Sequence, residues 1–172
     1  SFPFCGKAPY PSSFLFGALL YSSAMNIIIM NNRASFLVSF WSVLISRLQE
    51  EGHQVTCLVP AGDSEAEATL KGFGASIRNY PLDNKGLNPV HDLKTCLALY
   101  RIFREERADI LYASTIKSVI YGIPMAALAG IRSRYAMITG LGYMFEANTP
   151  VKKMLTYLAS SLYRISLSFS DA

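Results

Sequence analysis

Asn26-Ile27-Ile28-Ile29-Met30 is an unbroken apolar run behind one asparagine, and its reading decides the fold. A strand with one wet face alternates apolar and polar residues. A run with no polar face is the pattern of a strand covered on both sides in a parallel sheet. Helical spacing comes next, with Leu37, Trp41, Leu44 and Leu48, and Gly52 stands where a C-terminal cap belongs. Gln54 to Val59 then reads as a second strand closed by Pro60, and residues 63–73 as a short helix that opens on acids and ends before Gly74. Ala75 to Asn79 is a third strand, and Tyr80 to Pro89 a loop.

Outward from there the alternation continues. Leu93, Leu97, Tyr100 and Phe103 mark a long helix that runs into the solvated charges Arg104-Glu105-Glu106-Arg107. Ile110 to Ala113 is a fourth strand, a helix reaches about Ala129 and Gly130, and Tyr135 to Ile138 is a fifth strand. Val151, Met154, Leu155, Leu158, Leu162 and Ile165 form a last helical pattern. Strands and helices alternating with short connections give an α/β domain with a mostly parallel sheet. Pro124 falls inside the fourth helix, where it removes a hydrogen bond, so that helix is expected to begin near Pro124 or to kink there.

With 172 residues, 51% hydrophobic and 16% charged, the chain can bury a full core and is not disordered. The charged fraction is low, which leaves apolar surface for a partner, a second domain or a membrane. The net charge of +4 is compatible with an anionic ligand or a phospholipid surface. Basic patches interleaved with aromatics are not evident, so nucleic acid is not an expected partner. Cys5, Cys57 and Cys96 are odd in number and widely spaced, which argues against disulfides or a zinc site; Cys57 and Cys96 read as core residues. His53 and His91 lack metal-ligand spacing and read as surface residues. Residues 1–24, rich in proline and aromatics and then apolar from Phe14 to Tyr21, differ in character from the strand–helix pattern beyond them. They read as extraneous or mis-assigned sequence before a start at Met25, with a membrane-targeting segment as the alternative.

In such a sheet, ligands bind outside the carboxyl ends of the strands. Two small, polar or glycine-rich stretches stand there: Ser114-Thr115-Ile116-Lys117 after the fourth strand and Ile138-Thr139-Gly140-Leu141-Gly142-Tyr143 after the fifth. After the first strand, Asn31-Asn32-Arg33-Ala34-Ser35-Phe36 contains no glycine. Close approach of a dinucleotide pyrophosphate is therefore not expected there. Asn32, Arg33, Thr115, Lys117 and Thr139 supply amide, cationic and hydroxyl donors for a polar or anionic ligand at these strand ends. Lys117 is the leading phosphate contact, with a solvated helix-start lysine as its ordinary alternative. Tyr121 is a ligand-stacking or core residue, and Gly140, Leu141 and Gly142 shape the loop.

Glu51-Gly52-His53-Gln54-Val55, Asn88-Pro89 with Asp92-Leu93, Asp109-Ile110-Leu111, Thr115-Ile116-Lys117, Ile120-Tyr121-Gly122, Ala129-Gly130 and Ile138-Thr139-Gly140-Leu141-Gly142-Tyr143 occur in an order and spacing that resembles the N-terminal domain of family 4 glycosyltransferases. The similarity is to the bacterial subgroup that builds capsule, O-antigen and lipid-linked oligosaccharides, and it runs from about Met25 to Asp171. The resemblance implies a Rossmann-like three-layer domain over residues 25–172, one half of a two-domain GT-B enzyme. This half would receive the acceptor, and a donor domain beyond Ala172 would hold the nucleotide-sugar. It further implies a retaining transfer to a polyprenyl-diphosphate-linked saccharide, with the nucleotide-sugar as co-substrate, no metal and no resident cofactor. The setting would be the cytoplasmic face of the membrane, and the present chain alone would be inactive.

Many relatives carry a His-Gly pair after the fifth strand. Here it is Thr139-Gly140, and threonine hydrogen-bonds without serving as a base near neutral pH. Lys152, Lys153 and Arg164 beside the last apolar stripe, with Tyr157 and Tyr163, suit a helix in a membrane interface or one packed on the sheet. The alternatives are half of a GT-B-like sugar-nucleotide epimerase, which would need acid–base groups at the cleft, or a non-catalytic flavodoxin-like domain.

Overall fold

The computed structural model describes residues 24–82, 89–137 and 160–171. Five parallel strands, β1 (Asn26–Met30), β2 (Gln54–Val59), β3 (Ser76–Asn79), β4 (Ile110–Ser114) and β5 (Ser133–Met137), form one sheet in the order β3-β2-β1-β4-β5. The crossovers are α1 (Ala34–Glu50), α2 (Ser64–Gly72), α3 (Pro89–Glu106) and α4 (Ile116–Ala129). Successive strand residues point to opposite faces, so one run supplies two cores. Ile27 and Ile29 pack with α1 and α2, while Ile28 and Met30 pack with the α3 and α4 side.

Local chemistry fixes the ends. Gly52 stands at φ +85, which costs a residue without a Cβ little; its N–H donates to Gln49 O, and His53 N–H to Leu48 O, closing α1 with a Schellman pair. Chain direction then reverses into β2. Asp63 caps α2 by accepting from Ala66 N, and its other oxygen accepts from Ser35 N in the first turn of α1. One carboxylate thus serves two helix N-termini.

Several sequence expectations change in detail. The buried seam of α1 runs through Leu37, Trp41, Ile45 and Leu48, and Leu44 is outside it. Only the end of the apolar stripe that marks α3 faces the sheet: Leu93, Leu97 and Tyr100 are exposed, while Phe103, with Leu99, makes the core contact. β5 lies slightly earlier than Tyr135–Ile138 because Ser133 N–H already pairs with Asp109 O. His53 is buried, contrary to its surface reading, and its Nδ1 accepts from Met25 N at 3.2 Å. Cys57 is fully buried as expected, and Cys96 is half-buried.

α4 is continuous through Pro124, running from Ile116 to Ala129 without beginning at the proline. The ring removes the N–H that would meet Ile120 O, and the Ser166 hydroxyl, from a helical segment over residues 160–167, donates to that carbonyl at 3.1 Å. The freed acceptor is satisfied from outside the helix, which is why a proline is tolerated there. Residues 170 and 171 continue onto β5, where Arg134 N donates to the Asp171 carboxylate and Asp171 N to Arg134 O, each at 2.8 Å.

Candidate functional site at the switch point

The sheet reverses its winding between β1 and β4, so their carboxyl ends diverge into a crevice, the usual ligand site of open α/β sheets. A buried polar network floors it. Asn31 Nδ2 donates to Ser114 Oγ at 2.8 Å, and Ser114 Oγ donates to Met30 O at 3.2 Å. Asn31 Oδ1 accepts from Arg33 N at 2.9 Å, which sets the turn into α1. Tyr80 OH donates to Asn31 O at 3.2 Å and stands 3.4 Å from Ser118 Oγ, which in turn accepts from Thr115 Oγ1 at 3.1 Å. Asn31, Ser114, Ser118 and Tyr80 are all buried. Satisfied networks of this kind rigidify because every alternative leaves a buried group unpaired. Burial pushes the Tyr80 phenol well above its ordinary pKa, so it remains a neutral donor.

Thr115 sits at φ 81, ψ 153. That region is almost exclusive to glycine, and a β-branched residue there stores about 1–3 kcal/mol. Such strain persists only where the surroundings over-determine it, and here the Ser118 bond and the β4 ladder do so. Thr115 is the N-cap of α4, yet its side chain caps nothing. The positive end of α4 therefore opens on the crevice, with Lys117 half-buried in its first turn. The first turn of α1 differs, because the Asp63 carboxylate already takes Ser35 N there.

The structure thus brings Asn32, Arg33, Thr115 and Lys117 to one edge, with Asn32 half-buried and Arg33 exposed as N-cap of α1. Tyr121 lies one turn further along α4, partly buried against the α3–α4 core. Its phenol is raised first by burial and then by the Asp92 carboxylate to which it hydrogen-bonds. Thr139, Gly140, Leu141 and Gly142 lie outside the described residues, as do Lys152, Lys153 and Tyr157. Sequence reading placed Ser114 in the strand-end stretch without assigning it a role, and missed Asn31, Ser118, Tyr80 and Asp63. Asn31 and Ser114 end apolar runs and were findable as polar residues at strand ends. Tyr80, before Pro81, carries no local signal. Among the described residues no three His, Cys, Asp or Glu side chains gather as a metal site would need, and no helix is long and apolar enough to cross a membrane.

Comparison with known proteins gives the same architecture. The family described as "Glycosyl transferase 4-like" matches residues 26–172. The chain is 25% identical over 146 residues to the N,N'-diacetylbacillosaminyl-diphospho-undecaprenol alpha-1,3-N-acetylgalactosaminyltransferase of Campylobacter jejuni, covering 85% of this chain and 38% of that protein. Among solved structures it superposes on Acinetobacter baumannii MurG with a TM-score of 0.51 at 21% identity, covering 66% of this chain and 34% of MurG. With a UDP-N-acetylglucosamine 2-epimerase the TM-score is 0.59 at 13% identity, over 87% and 39% of the two chains. At these identities both superpositions establish the fold alone. The chain spans well under half the length of each of these relatives.

Proposed function

The chain belongs to the glycosyl transferase 4-like family, and from that premise we propose that it is the acceptor-binding half of a retaining glycosyltransferase. The intact enzyme moves a hexosyl or N-acetylhexosaminyl group from a nucleotide-sugar to a polyprenyl-diphosphate-linked saccharide during cell-surface polysaccharide synthesis. The observation that carries this reading is the β1–β4 switch point, where the first turn of α4, with Lys117 in it and no side-chain cap from Thr115, adjoins a crevice floored by a rigid polar network. The similarity to a transferase named for a diphospho-undecaprenol-linked saccharide supports the acceptor class.

In the transfer, the bond from the sugar's anomeric carbon to the donor diphosphate breaks, and a bond to the acceptor hydroxyl oxygen forms. The nucleoside diphosphate departs with the bonding electrons, and the hydroxyl proton passes to the departing diphosphate oxygen. Two sets of phosphates therefore need positive potential near the crevice, and preorganised donors are most effective where charge develops. Lys117 and the α4 N-terminus hold a diphosphate, and Asn32, Arg33 and Thr115 line the acceptor saccharide's path. Thr139, Gly140, Leu141 and Gly142, which follow β5 in sequence, bind the acceptor through hydrogen bonds. The nucleotide is held by a second Rossmann-like domain, so this half is inactive alone. The enzyme works on the cytoplasmic face of the membrane as a peripheral protein. Donor and acceptor are co-substrates, with no metal or resident cofactor in the scheme.

The epimerase alternative shares the fold, but the residues named at the crevice are amides, hydroxyls and cations and offer no acid–base pair, and the family match favours transfer. The test is incubation of the intact protein with a panel of nucleotide-sugars and a polyprenyl-diphosphate-linked saccharide, read by product mass. Transfer by wild type, reduced in Lys117→Ala and Thr139→Val, is expected. No transfer with any donor contradicts the function, and equal transfer in both variants contradicts the site.

A further inference from the structure

The outward side of α1 carries a stripe that the rest of the described residues leave open. Arg33, Phe36, Phe40, Val43, Arg47 and Glu50 follow one another at alternating intervals of three and four residues, the spacing of a helix–helix seam. Phe40 is 72% exposed and Val43 76%, and Leu44 widens the stripe on one flank. Leu37, Trp41, Ile45 and Leu48, on the other side of the helix, already meet the sheet, so folding of the domain uses only one of the two faces. The ring of Phe40 leans on that of half-buried Phe36, with 4.6 Å between centroids. Beside it, Ser42, Val43, Ser46, Arg47, Glu50 and Phe73 line an open groove of about 340 Å³. A protruding ring and a groove able to take one thus stand next to each other on a single helix.

We propose that α1 pairs with α1 of a second copy of this chain, antiparallel about a two-fold axis, with each Phe40 entering the partner's groove. An axis placed between Phe40 and Val43 gives every residue of the stripe a mate. Phe40 meets the partner's Val43, Phe36 meets the partner's Arg47, and Arg33 meets the partner's Glu50. The interface is isologous, so each pairing occurs twice. The chemistry suits every level: apolar contact at the centre, a guanidinium against an aromatic ring beside it, and opposite charges at the ends. A parallel pairing would instead set Arg33 on Arg33 and Arg47 on Arg47. Ser39 and Ser46, small residues on one flank, leave room for the incoming ring. An anionic bilayer is a poorer occupant, because Arg47 is already held by Glu50 at 3.0 Å. Two copies joined this way bury about 1,000 Å² together, the lower bound for a specific interface, which points to a dissociation constant on the order of 10 μM.

The test is sedimentation velocity of the intact protein over about a thousandfold range of concentration around that value. Wild type is expected to pass from monomer to dimer. Phe40→Ala should weaken the dimer about thirtyfold or more, and Val43→Arg, which adds cations beside Arg47, should abolish it. Both positions are exposed, and an unchanged urea midpoint checks the fold. Glu50→Arg, facing the partner's Arg33, should weaken association about tenfold, and Arg33→Glu/Glu50→Arg should restore it. Leu93→Ser/Leu97→Ser on α3 should leave the dimer unchanged. A monomer at every concentration overturns the proposal and leaves the stripe to a different partner. So does a dimer indifferent to Phe40→Ala, a charge exchange that restores nothing, or a dimer lost in Leu93→Ser/Leu97→Ser. None of these readouts involves sugar transfer, so they stand or fall apart from the function proposed above.

Discussion

Replacing Thr115 by alanine and, separately, by glycine isolates the strain at the start of α4. Both variants lose the hydroxyl that donates to Ser118 at 3.1 Å, so that loss cancels between them. Alanine keeps a Cβ at φ 81, ψ 153 and with it a penalty of about 1–3 kcal/mol. Glycine relieves the penalty and adds an unfolded-state entropy cost of about 0.5–1 kcal/mol. The glycine variant should therefore be the more stable of the two by roughly 1 kcal/mol. Urea unfolding followed by the fluorescence of the single tryptophan, Trp41, which is buried against the sheet, reads the difference. At an m-value of about 2 kcal/mol/M the midpoints should differ by about 0.5 M. In relaxed backbone the order is the opposite, with alanine ahead by about 0.5–1 kcal/mol. That outcome would refute the claim that the crevice stores strain at Thr115. In the intact enzyme the glycine variant, despite its greater stability, should transfer no faster than the alanine variant, because a relaxed residue no longer fixes the first turn of α4.

Gly122 permits the close approach of α4 to β1: an added Cβ would stand 2.7 Å from the sulfur of fully buried Met30, so Gly122→Ala should cost about 1–3 kcal/mol in urea unfolding. Ser166→Ala should cost about 1 kcal/mol by stranding Ile120 O, and almost nothing in a Pro124→Ala background, where the restored N–H takes over. A double-mutant cycle with no coupling would remove that explanation of the tolerated proline. Burial pushes the Cys57 thiol from 9.0 up to about 12, so the folded state keeps a proton that the unfolded chain releases. This contribution to stability is intact below pH 9 and is lost as pH rises from about 9 toward 12. Iodoacetamide at pH 8 should accordingly label Cys57 only after denaturant is added, and labelling of native protein at the rate of an exposed thiol contradicts its burial.

The sheet was legible because Ile27 to Met30, the Gln54–Val59 run and the Ile110–Ala113 run are continuous and apolar, and because Gly52 and Gly130 mark helix ends by a conformation most residues avoid. Orientation was harder to read. Spacing identified α3 from Leu93, Leu97, Tyr100 and Phe103, but a helix with apolar residues on two faces does not declare which one meets the sheet, and of these four only Phe103, joined by Leu99, took that role. The choice between Leu44 and Ile45 in α1 has the same origin. Within the crevice, Thr115 and Lys117 were findable as polar residues after a strand. The partners that hold them were not, since Tyr80 is 38 residues from Ser118, across α3 and β4, and 49 from Asn31, across α1, β2, α2 and β3. Asp63 looks like an ordinary N-cap of α2, and its second role at Ser35 appears only once α1 and α2 pack side by side.

Initial rates of transfer by the intact enzyme, with lipid-linked acceptor varied at saturating donor and donor varied at saturating acceptor, test most directly whether this half holds the acceptor. Loss of a charge-assisted contact is worth about 1.5–3 kcal/mol, so Lys117→Ala should raise the KM for the diphosphate-linked acceptor about tenfold or more. The donor KM should stay near its wild-type value. A rise confined to the donor KM, or no change in either, would contradict the assignment of the β1–β4 crevice to the acceptor.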